Sequence, residues 1–262
     1  MPEKSAGARL GGAFVVGGLI AVFAQIIMLI MSNVLPVADL VPPVSLVILG
    51  IVGVVLVLTG VYPKLNEIGG FGAGIMFCGL VDAVAGVYMG GAMENGGKPA
   101  EGVKAAIKFA VAILGTLVVV GAILGLLFAR SAGVLACMTP TAADPGPIIF
   151  LYAFLMGGLI SIIGEALLTF TPLPLPAVIL GNAVAGMVMA LVGIASNLEV
   201  ITGAGLCATV VDAGAGAVLG GATIVLAGTP MRLLILVLVM VIVVCMGIFC
   251  GSTLLKRAKA AQ

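Results

Sequence analysis

The sequence lacks histidine and tryptophan, and only 8% of its 262 residues are charged. Without histidine the Ser/His/Asp and Cys/His catalytic sets are excluded, and no GxxxxGK[ST] phosphate loop occurs. The net charge of +1 gives no reason to expect nucleic acid as a partner. We therefore expect neither an enzyme nor a bound cofactor.

Cysteine is also sparse and unpatterned. Of the five cysteines four lie within apolar runs, and no two form a CxxC pair. Buried small hydrophobic side chains explain these spacings better than a metal or redox site does. We expect no metal.

Apolar residues, by contrast, make up 63% of the chain, and the mean hydropathy is +1.40. This composition is far outside that of soluble domains and predicts an integral membrane protein whose main partner is the lipid bilayer. The length of the apolar runs predicts helices rather than barrel strands. The all-α fold that we expect has about eight transmembrane helices, at residues 11–32, 44–61, 70–93, 104–129, 148–170, 177–195, 201–227 and 232–254.

The chain contains an internal repeat. FVVGGLIAVFAQ (14–25) matches FLMGGLISIIGE (154–165), and GAGIMFCGLVDAVAGVYMGGA (72–92) matches GAGLCATVVDAGAGAVLGGA (203–222). We infer a duplication, with a first repeat at 1–130, a linker at 131–147 and a second repeat at 148–262.

Four spans in each repeat would return the chain to the side on which it began, so the sequence predicts two parallel four-helix repeats. The side that bears both termini would then carry seven basic residues and the other side four. The positive-inside rule accordingly favours cytoplasmic termini, although Lys104 and Lys108 run against it.

Asp82 and Asp212 occupy matched positions in the alignment of the repeats, near the middle of predicted spans. A carboxylate at bilayer depth costs at least about 2.5–3.5 kcal/mol, which makes a lipid-facing position unfavourable. One interpretation is a hydrated path in which both aspartates bind ions or shape selectivity. The other is that each aspartate is protonated, or caps backbone groups, within a helix interface.

Two further sets of polar residues have two interpretations each. Glu165 and its counterpart Gln25 predict a polar position near the mouth of a pathway, or a side chain that reaches the interface. Lys104 and Lys108 share a helical face, where they could contact lipid phosphates or form a basic vestibule for an anionic solute.

Glycine accounts for 39 residues, about twice the usual share. Gly86 and Gly90 form a GxxxG pair beside Asp82, and Gly216 and Gly220 form its counterpart in the second repeat. Small residues let helices approach closely in lipid, so these four glycines predict tight helix packing.

Several of these segments resemble the SpoVA family of stage V sporulation membrane proteins, especially its AC and AE types. The resemblance rests on FVVGGLIAVFAQ, LVLTGVYPKLNEIGGFGAG and AMENGGKPAEGVKAAIK in the first repeat, and on TPLPLPAVILG and LVGIASNLEVITGAG in the second. The chain is thereby similar to two family members in tandem, whereas such proteins typically have one unit per chain.

The resemblance implies a channel or transporter subunit in the spore inner membrane. More generally we expect a bacterial cytoplasmic membrane or spore inner membrane, and a homo- or hetero-oligomer with other membrane subunits. The solute would be dipicolinic acid or its calcium chelate. The residues alone indicate only a small polar or anionic solute. Two other functions are open at this point: an ion-translocating proteolipid similar to the rotor subunits of rotary ATPases, and a non-transporting scaffold subunit of a membrane complex.

Overall fold

The computed structural model describes residues 5–260 as a bundle of helices. Seven of its helical segments are long and apolar enough to cross a membrane, which confirms the predicted all-α membrane class. The α-helices are α1 (Ala6–Val34), α2 (Val41–Leu58), α3 (Val61–Gly69), α4 (Phe71–Gly74), α5 (Phe77–Glu94), α6 (Pro99–Ala110), α7 (Thr116–Phe128), α8 (Ala132–Met138), α9 (Ile149–Phe170), α10 (Leu175–Val192), α11 (Ala195–Thr202), α12 (Ala204–Cys207), α13 (Val210–Ala227) and α14 (Met231–Ala260). A π-helical segment, Val111–Gly115, joins α6 to α7.

Helices α1 and α9 cross near their middles in opposite directions. At the crossing, a Cβ added to Gly17 would lie 3.0 Å from the carbonyl oxygen of Gly157, and the reverse distance is also 3.0 Å. Towards the start of α1, Arg9 binds Glu165 in the second half of α9, with Nη2 2.8 Å from Oε1. Residue numbers therefore fall along α9 as they rise along α1, so the two helices are antiparallel.

The contacts across this crossing are reciprocal. Gly18 packs against the ring of Phe154, and Gly158 packs against the ring of Phe14. The two rings meet edge to face, with centroids 5.4 Å apart. Such reciprocal contacts arise when a two-fold axis relates the two helices. Because the helices are antiparallel, this axis lies perpendicular to them.

One end of the bundle, which we call the terminal face, holds the start of α1. Ile68, near the end of α3, lies against Gly12 in α1, so α2, which ends at Leu58 just before α3, also ends at this face. In the last turns of α14, Arg257 donates a hydrogen bond from Nη1 to the carbonyl oxygen of Leu58 at 2.7 Å. The chain therefore enters and leaves the described bundle at the terminal face.

Helices α3 to α5 form a re-entrant segment, hairpin 1 (61–94). Gly247 of α14 lies against Val84, and Gly251 lies against Tyr88, so α5 runs parallel to α14. Hairpin 1 thus starts at the terminal face, where α2 ends, and returns to the same face.

Helices α11 to α13 form the equivalent segment, hairpin 2 (195–227), at the opposite face. Gly121 of α7 lies against Ala217, and Gly125 lies against Gly221, so α13 runs parallel to α7. Since α7 starts from the terminal face and runs away from it, α13 ends at the opposite face.

The tips of the two hairpins meet in the middle of the bundle. Met76 and Thr209 form an isolated antiparallel β-bridge between the residues that directly precede α5 and α13. Each tip turns at a glycine with a positive φ, +47° at Gly70 and +50° at Gly203, a conformation that side-chain-bearing residues rarely adopt. The two halves of the chain therefore build their hairpins with the same local geometry.

This arrangement corrects the predicted topology. The predicted spans at 70–93 and 201–227 belong to hairpins that do not cross the bundle, although α13 is one of the seven segments long enough to do so. Each half therefore crosses the bundle three times instead of four. An odd number of crossings turns the second half upside down relative to the first, with the two-fold axis in the membrane plane. The prediction of two parallel four-helix repeats is wrong, because the apolar runs at 70–93 and 201–227 start at hairpin tips inside the bundle although each is long enough to cross a bilayer.

The inverted arrangement can be checked by cysteine labelling. In right-side-out and inverted vesicles we expect Gly97→Cys to react with a membrane-impermeant thiol reagent from the side of the termini, and Asp144→Cys from the other side. Parallel repeats would give the reverse result at both positions. A Cys245→Ala background removes the one exposed native thiol among the described residues.

Most close helix contacts are made by glycines other than the predicted GxxxG pairs. No atom lies within 4 Å of a Cβ added at Gly86 or Gly90, and both glycines are exposed. A Cβ at Gly220 would lie 3.1 Å from Leu233, whereas at Gly216 it would only touch the end of Leu236 at 3.9 Å. The predicted packing role of Gly86 and Gly90 is therefore wrong within this chain, because the packed side of α5 is the side that faces α14.

Candidate functional site

A cavity of about 540 Å³ lies between hairpin 1 and the helices α1 and α9. Its lining combines charged and amide side chains with backbone at glycines. The side chains that could contact a polar solute are those of Arg9, Asn66, Glu67, Asp82 and Glu165. A space of this size with several ionisable groups is unusual inside an apolar bundle, so the cavity is the leading candidate for a site.

Asp82 stands on α5, and its carboxylate faces α3. The Asn66 amide nitrogen donates a hydrogen bond to the Asp82 carboxylate, Nδ2 to Oδ2 at 2.7 Å. The carboxylate is only partly buried and lines the cavity. Asp82 is therefore held by a neutral partner that supplies no counter-charge, and its charge is available to a solute.

Glu165 is buried at the wall of the cavity and holds the tip of hairpin 1. Its Oε2 accepts a hydrogen bond from the backbone N–H of Phe71 at 2.8 Å, and its Oε1 accepts one from Arg9 Nε at 2.9 Å. The side chain is only 3% exposed. The carboxylate thus acts first as an anchor for the hairpin, and the guanidinium balances its charge.

Gln25 anchors the tip of hairpin 2. Its Oε1 accepts a hydrogen bond from the backbone N–H of Ala204 at 2.7 Å, in the first residue after the turn at Gly203. The sequence paired Gln25 with Glu165 as polar positions near the mouth of a pathway. Both are instead anchors of the hairpin tips, and only Glu165 also lines the cavity.

The two aspartates are not structurally equivalent. The β-bridge fixes the start of both helices, and Asp82 is the sixth residue of α5 whereas Asp212 is the third residue of α13. The residue that corresponds to Asp82 is Ala215, and the one that corresponds to Asp212 is Gly79. The matched positions that the alignment predicted are therefore about one helical turn apart.

The second half carries different side chains at the positions that line the cavity in the first half. Glu199 corresponds to Asn66, because the backbone carbonyl oxygen of each residue accepts a hydrogen bond from the N–H of its turn glycine, Gly203 or Gly70. Likewise Cys207, four residues beyond Gly203, corresponds to Gly74, which lines the cavity.

The donor atoms of Glu199, Cys207 and Asp212 lie within 4.8 Å of one another, and we call these three residues the acidic cluster. Among residues 5–260 it is the one such group that could hold a metal ion. Arg232, at the start of α14, attracts both carboxylates and partly balances their charge, and the Cys207 thiol hydrogen bonds with both. The cluster is thus held together by partners from the chain itself.

Sequence reasoning missed Asn66, Glu199 and Cys207. Asn66 and Glu199 each lie four residues before a turn glycine, in NEIGG and in LEVITG, and this spacing was the available signal. Cys207 was interpreted as a buried hydrophobic side chain, which its burial supports but its polar neighbours do not.

Lys104 and Lys108 lie outside the polar cavity. Both are exposed on α6 and neither lines the polar cavity. Lys104 pairs with Glu101 at 3.6 Å, a contact between exposed side chains of little energetic weight. The cavity therefore has no basic vestibule made of these lysines.

Comparison with known proteins bears on the first half of the chain. Residues 10–130 match the model of a family described as SpoVAC/SpoVAEB sporulation membrane protein. Among the curated proteins and among the solved structures nothing matches the chain. The match covers α1 to α7, including hairpin 1 and its side of the polar cavity, and ends before α8. Just under half of this membrane protein, the half that carries Asp82, thus has the pattern of the SpoVAC/SpoVAEB sporulation membrane proteins.

Proposed function

We propose that the chain is a channel or transporter subunit for a small polar solute, and that the polar cavity is the entrance to its pathway on the terminal face. The observation that carries this proposal is the cavity itself, about 540 Å³ lined by Asp82, Asn66 and Arg9 inside an apolar bundle. A scaffold subunit has no need of such a space, because burying charge at this depth is costly. By resemblance, the solute is dipicolinic acid or its calcium chelate and the membrane is the spore inner membrane.

The corrected topology supports cytoplasmic termini. Eight of the ten basic residues between 5 and 260 lie at the terminal face, and only Arg130 and Arg232 lie at the opposite face. Lys104 and Lys108, which opposed the predicted orientation, are on the terminal face because α5 returns there. Under the positive-inside rule this face is the cytoplasmic one, so the polar cavity opens towards the cytoplasm.

The difference between the halves supports a gate on the other side. Cys207 and Asp212 replace Gly74 and Gly79, so side chains occupy the positions where the first half has only glycine. We propose that the acidic cluster, with Arg232, closes the pathway towards the opposite face. Passage of a solute then requires hairpin 2 or the Arg232 side chain to shift.

The hairpins are suited to such movement. Their tips pair by the single bridge between Met76 and Thr209 and by the hydrogen bond from Phe77 N–H to the Ala208 carbonyl oxygen at 3.3 Å. Two broken helices that meet at the midplane in inverted repeats are the usual setting of a transport site. We also propose that the halves, 1–130 and 148–262, are copies of one ancestral unit.

The test is flux through vesicles that contain the purified protein, with dipicolinate as the probe, with and without calcium. We expect Asp82→Asn to change flux or the effect of calcium at least about tenfold, because a group that attracts ions at the entrance acts on every passage. The matched control is Asp39→Asn, an exposed aspartate before α2. Unchanged flux and unchanged calcium dependence in Asp82→Asn would contradict the assignment of the cavity.

A further inference from the structure

A second concavity lies on the outside of the bundle. It has a volume of about 410 Å³ between the α6–α7 helix and α14, and its lining is almost wholly apolar. The lining includes Ile107, Val111 and Val118 on one helix and Val241, Val244 and Ile248 on the other. Val111 and Val241 are 64% and 53% exposed, so this apolar groove faces the surroundings of the protein and not its core.

The π-helical segment runs along the apolar groove. Val111 and Gly115 both belong to it and both line the groove. A π-turn adds a residue to the helix and pushes the backbone outwards, and such turns are frequent at functional sites. Here Gly115 contributes no side chain, so the wall of the groove is bare backbone where the helix is distorted.

Basic side chains gather at the terminal-face end of the apolar groove. Lys104 and Lys108 share a helical face with Val111 and lie within two turns of it, on the side towards the terminal face. Both lysines are exposed. An apolar slot with cations at one end matches a molecule that has an apolar chain and an anionic head.

The last turns of α14 bring further cations to the same end. Lys256 and Lys259 follow Ile248 by eight and eleven residues, spacings that keep them on or near its helical face. A Cβ added at Gly97 would lie 3.0 Å from Lys259 Cε, so the end of α14 packs beside the start of α6. The two helices thus present lysines from both sides of the groove entrance.

The length of the apolar groove identifies the kind of occupant. From Ile107 to Val119 it extends over twelve residues of helix, about 18 Å at 1.5 Å per residue. One leaflet of a bilayer has a hydrocarbon thickness of about 15 Å, half of the whole core. A transmembrane helix of a partner would need a groove of about twice that length, whereas an acyl chain of one leaflet fits.

We propose that this groove is a binding site for an anionic phospholipid of the leaflet at the terminal face. One acyl chain occupies the apolar groove, and the headgroup phosphate lies among Lys104, Lys108 and the lysines at the end of α14. Basic pockets between membrane helices on the cytoplasmic side are suited to such headgroups. The site is separate from the polar cavity and does not depend on the proposed transport function.

Native mass spectrometry of the purified full chain can test this proposal, with phosphatidylglycerol and phosphatidylcholine offered at equal concentration in detergent micelles. We expect phosphatidylglycerol to be retained at least about tenfold more than phosphatidylcholine, and Lys104→Gln/Lys108→Gln to remove most of that preference. Lys64→Gln, an exposed lysine of α3 at the same face, is the matched control and should retain the wild-type preference.

A second variant tests the acyl chain. A Cβ at Gly115 would have only an ordinary contact at 3.7 Å, so Gly115→Leu has room for its first side-chain carbon and directs the remainder into the groove. We expect it to lower retention of both lipids, whereas Val120→Leu, on exposed surface outside the groove, should not. Soluble glycerol phosphate should not compete, since it has no chain.

Three results would overturn the proposal. They are equal retention of the two lipids, full retention in the double lysine variant, and a change of oligomeric state in Gly115→Leu with lipid retention intact. The last result would make the groove a contact between protein chains.

Discussion

Replacing Arg9 by methionine is expected to lower the free energy of unfolding by about 3 kcal/mol. The Glu165 carboxylate would remain buried after the loss of its counter-charge, and breaking a buried ion pair from one side typically costs about 3–5 kcal/mol. The Arg9 side chain is 44% exposed, so water partly screens the pair and the lower end of this range applies. Thermal unfolding in detergent, followed by circular dichroism, measures the change.

The second half of the chain provides the rescue. Gln25 anchors hairpin 2 through its amide oxygen without an ion pair, so a glutamine at position 165 should anchor hairpin 1 in the same way. We expect Arg9→Met/Glu165→Gln to be clearly more stable than Arg9→Met alone. Arg130→Met, which removes an exposed arginine at the opposite face, is the control and should change stability by less than about 0.5 kcal/mol.

The outcomes separate two roles of the ion pair. If the double variant is no more stable than Arg9→Met, the charge on Glu165 is itself needed to hold the tip of hairpin 1. If Arg9→Met behaves like Arg130→Met, the buried carboxylate does not depend on its partner, and the anchoring described here is wrong.

The membrane class and the positions of most helices were predictable, because long apolar runs have few other solutions. The direction of the second half was not. Residues 70–93 form a run long enough to cross a bilayer, and nothing in its hydropathy shows that the chain turns at Gly70 and goes back. What marks the turn is a positive φ at Gly70, and a sequence does not show φ. Glycine occurs in turns, at close helix contacts and in ordinary helices.

The extra crossing predicted in the first half put the loops between it and hairpin 2 on the wrong side of the membrane. With four crossings in each half, Lys104 and Lys108 fall on the side away from the termini; with three, they join the other basic residues at the terminal face. The distribution of basic residues could have indicated three crossings, since placing these lysines at the terminal face makes the difference in basic residues between the two faces larger. Orientation and crossing number are therefore best derived together and not in sequence.

The equivalence of Asp82 and Asp212 failed for a different reason. The segments DAVAGVYMGGA and DAGAGAVLGGA consist mainly of glycine and alanine, so the alignment that pairs the two aspartates gains most of its matches from composition. Packing against α14 and α7 fixes the register instead, through Gly247 and Gly121. The sequence identifies Glu165 and Gln25 as a matched polar pair. It does not show their hydrogen bonds to backbone N–H groups, because each side chain accepts from a residue in the other half of the chain.

At the crossing of α1 and α9 a single added methyl group should be costly. A Cβ at Gly157 would lie 2.5 Å from that of Ala21 and 3.0 Å from the backbone oxygen of Gly17, and a backbone cannot move aside as a side chain can. We expect Gly157→Ala to cost about 1–3 kcal/mol and Gly157→Leu to exceed that range, leaving little folded protein. Size-exclusion chromatography and thermal unfolding of the purified variants give both readouts.

Gly86 is the matched control, since it is also in the middle of a helix but has open space where its Cβ would be. There the substitution to alanine should stabilise the helix by up to about 1 kcal/mol, because alanine is the better helix former. If Gly86→Ala and Gly157→Ala destabilise equally, the GxxxG pair beside Asp82 packs as the sequence predicted and the register of α5 against α14 is wrong. Opposite signs would confirm that Gly157 lies in a close helix contact at the two-fold axis, where the inverted halves meet, and that Gly86 does not.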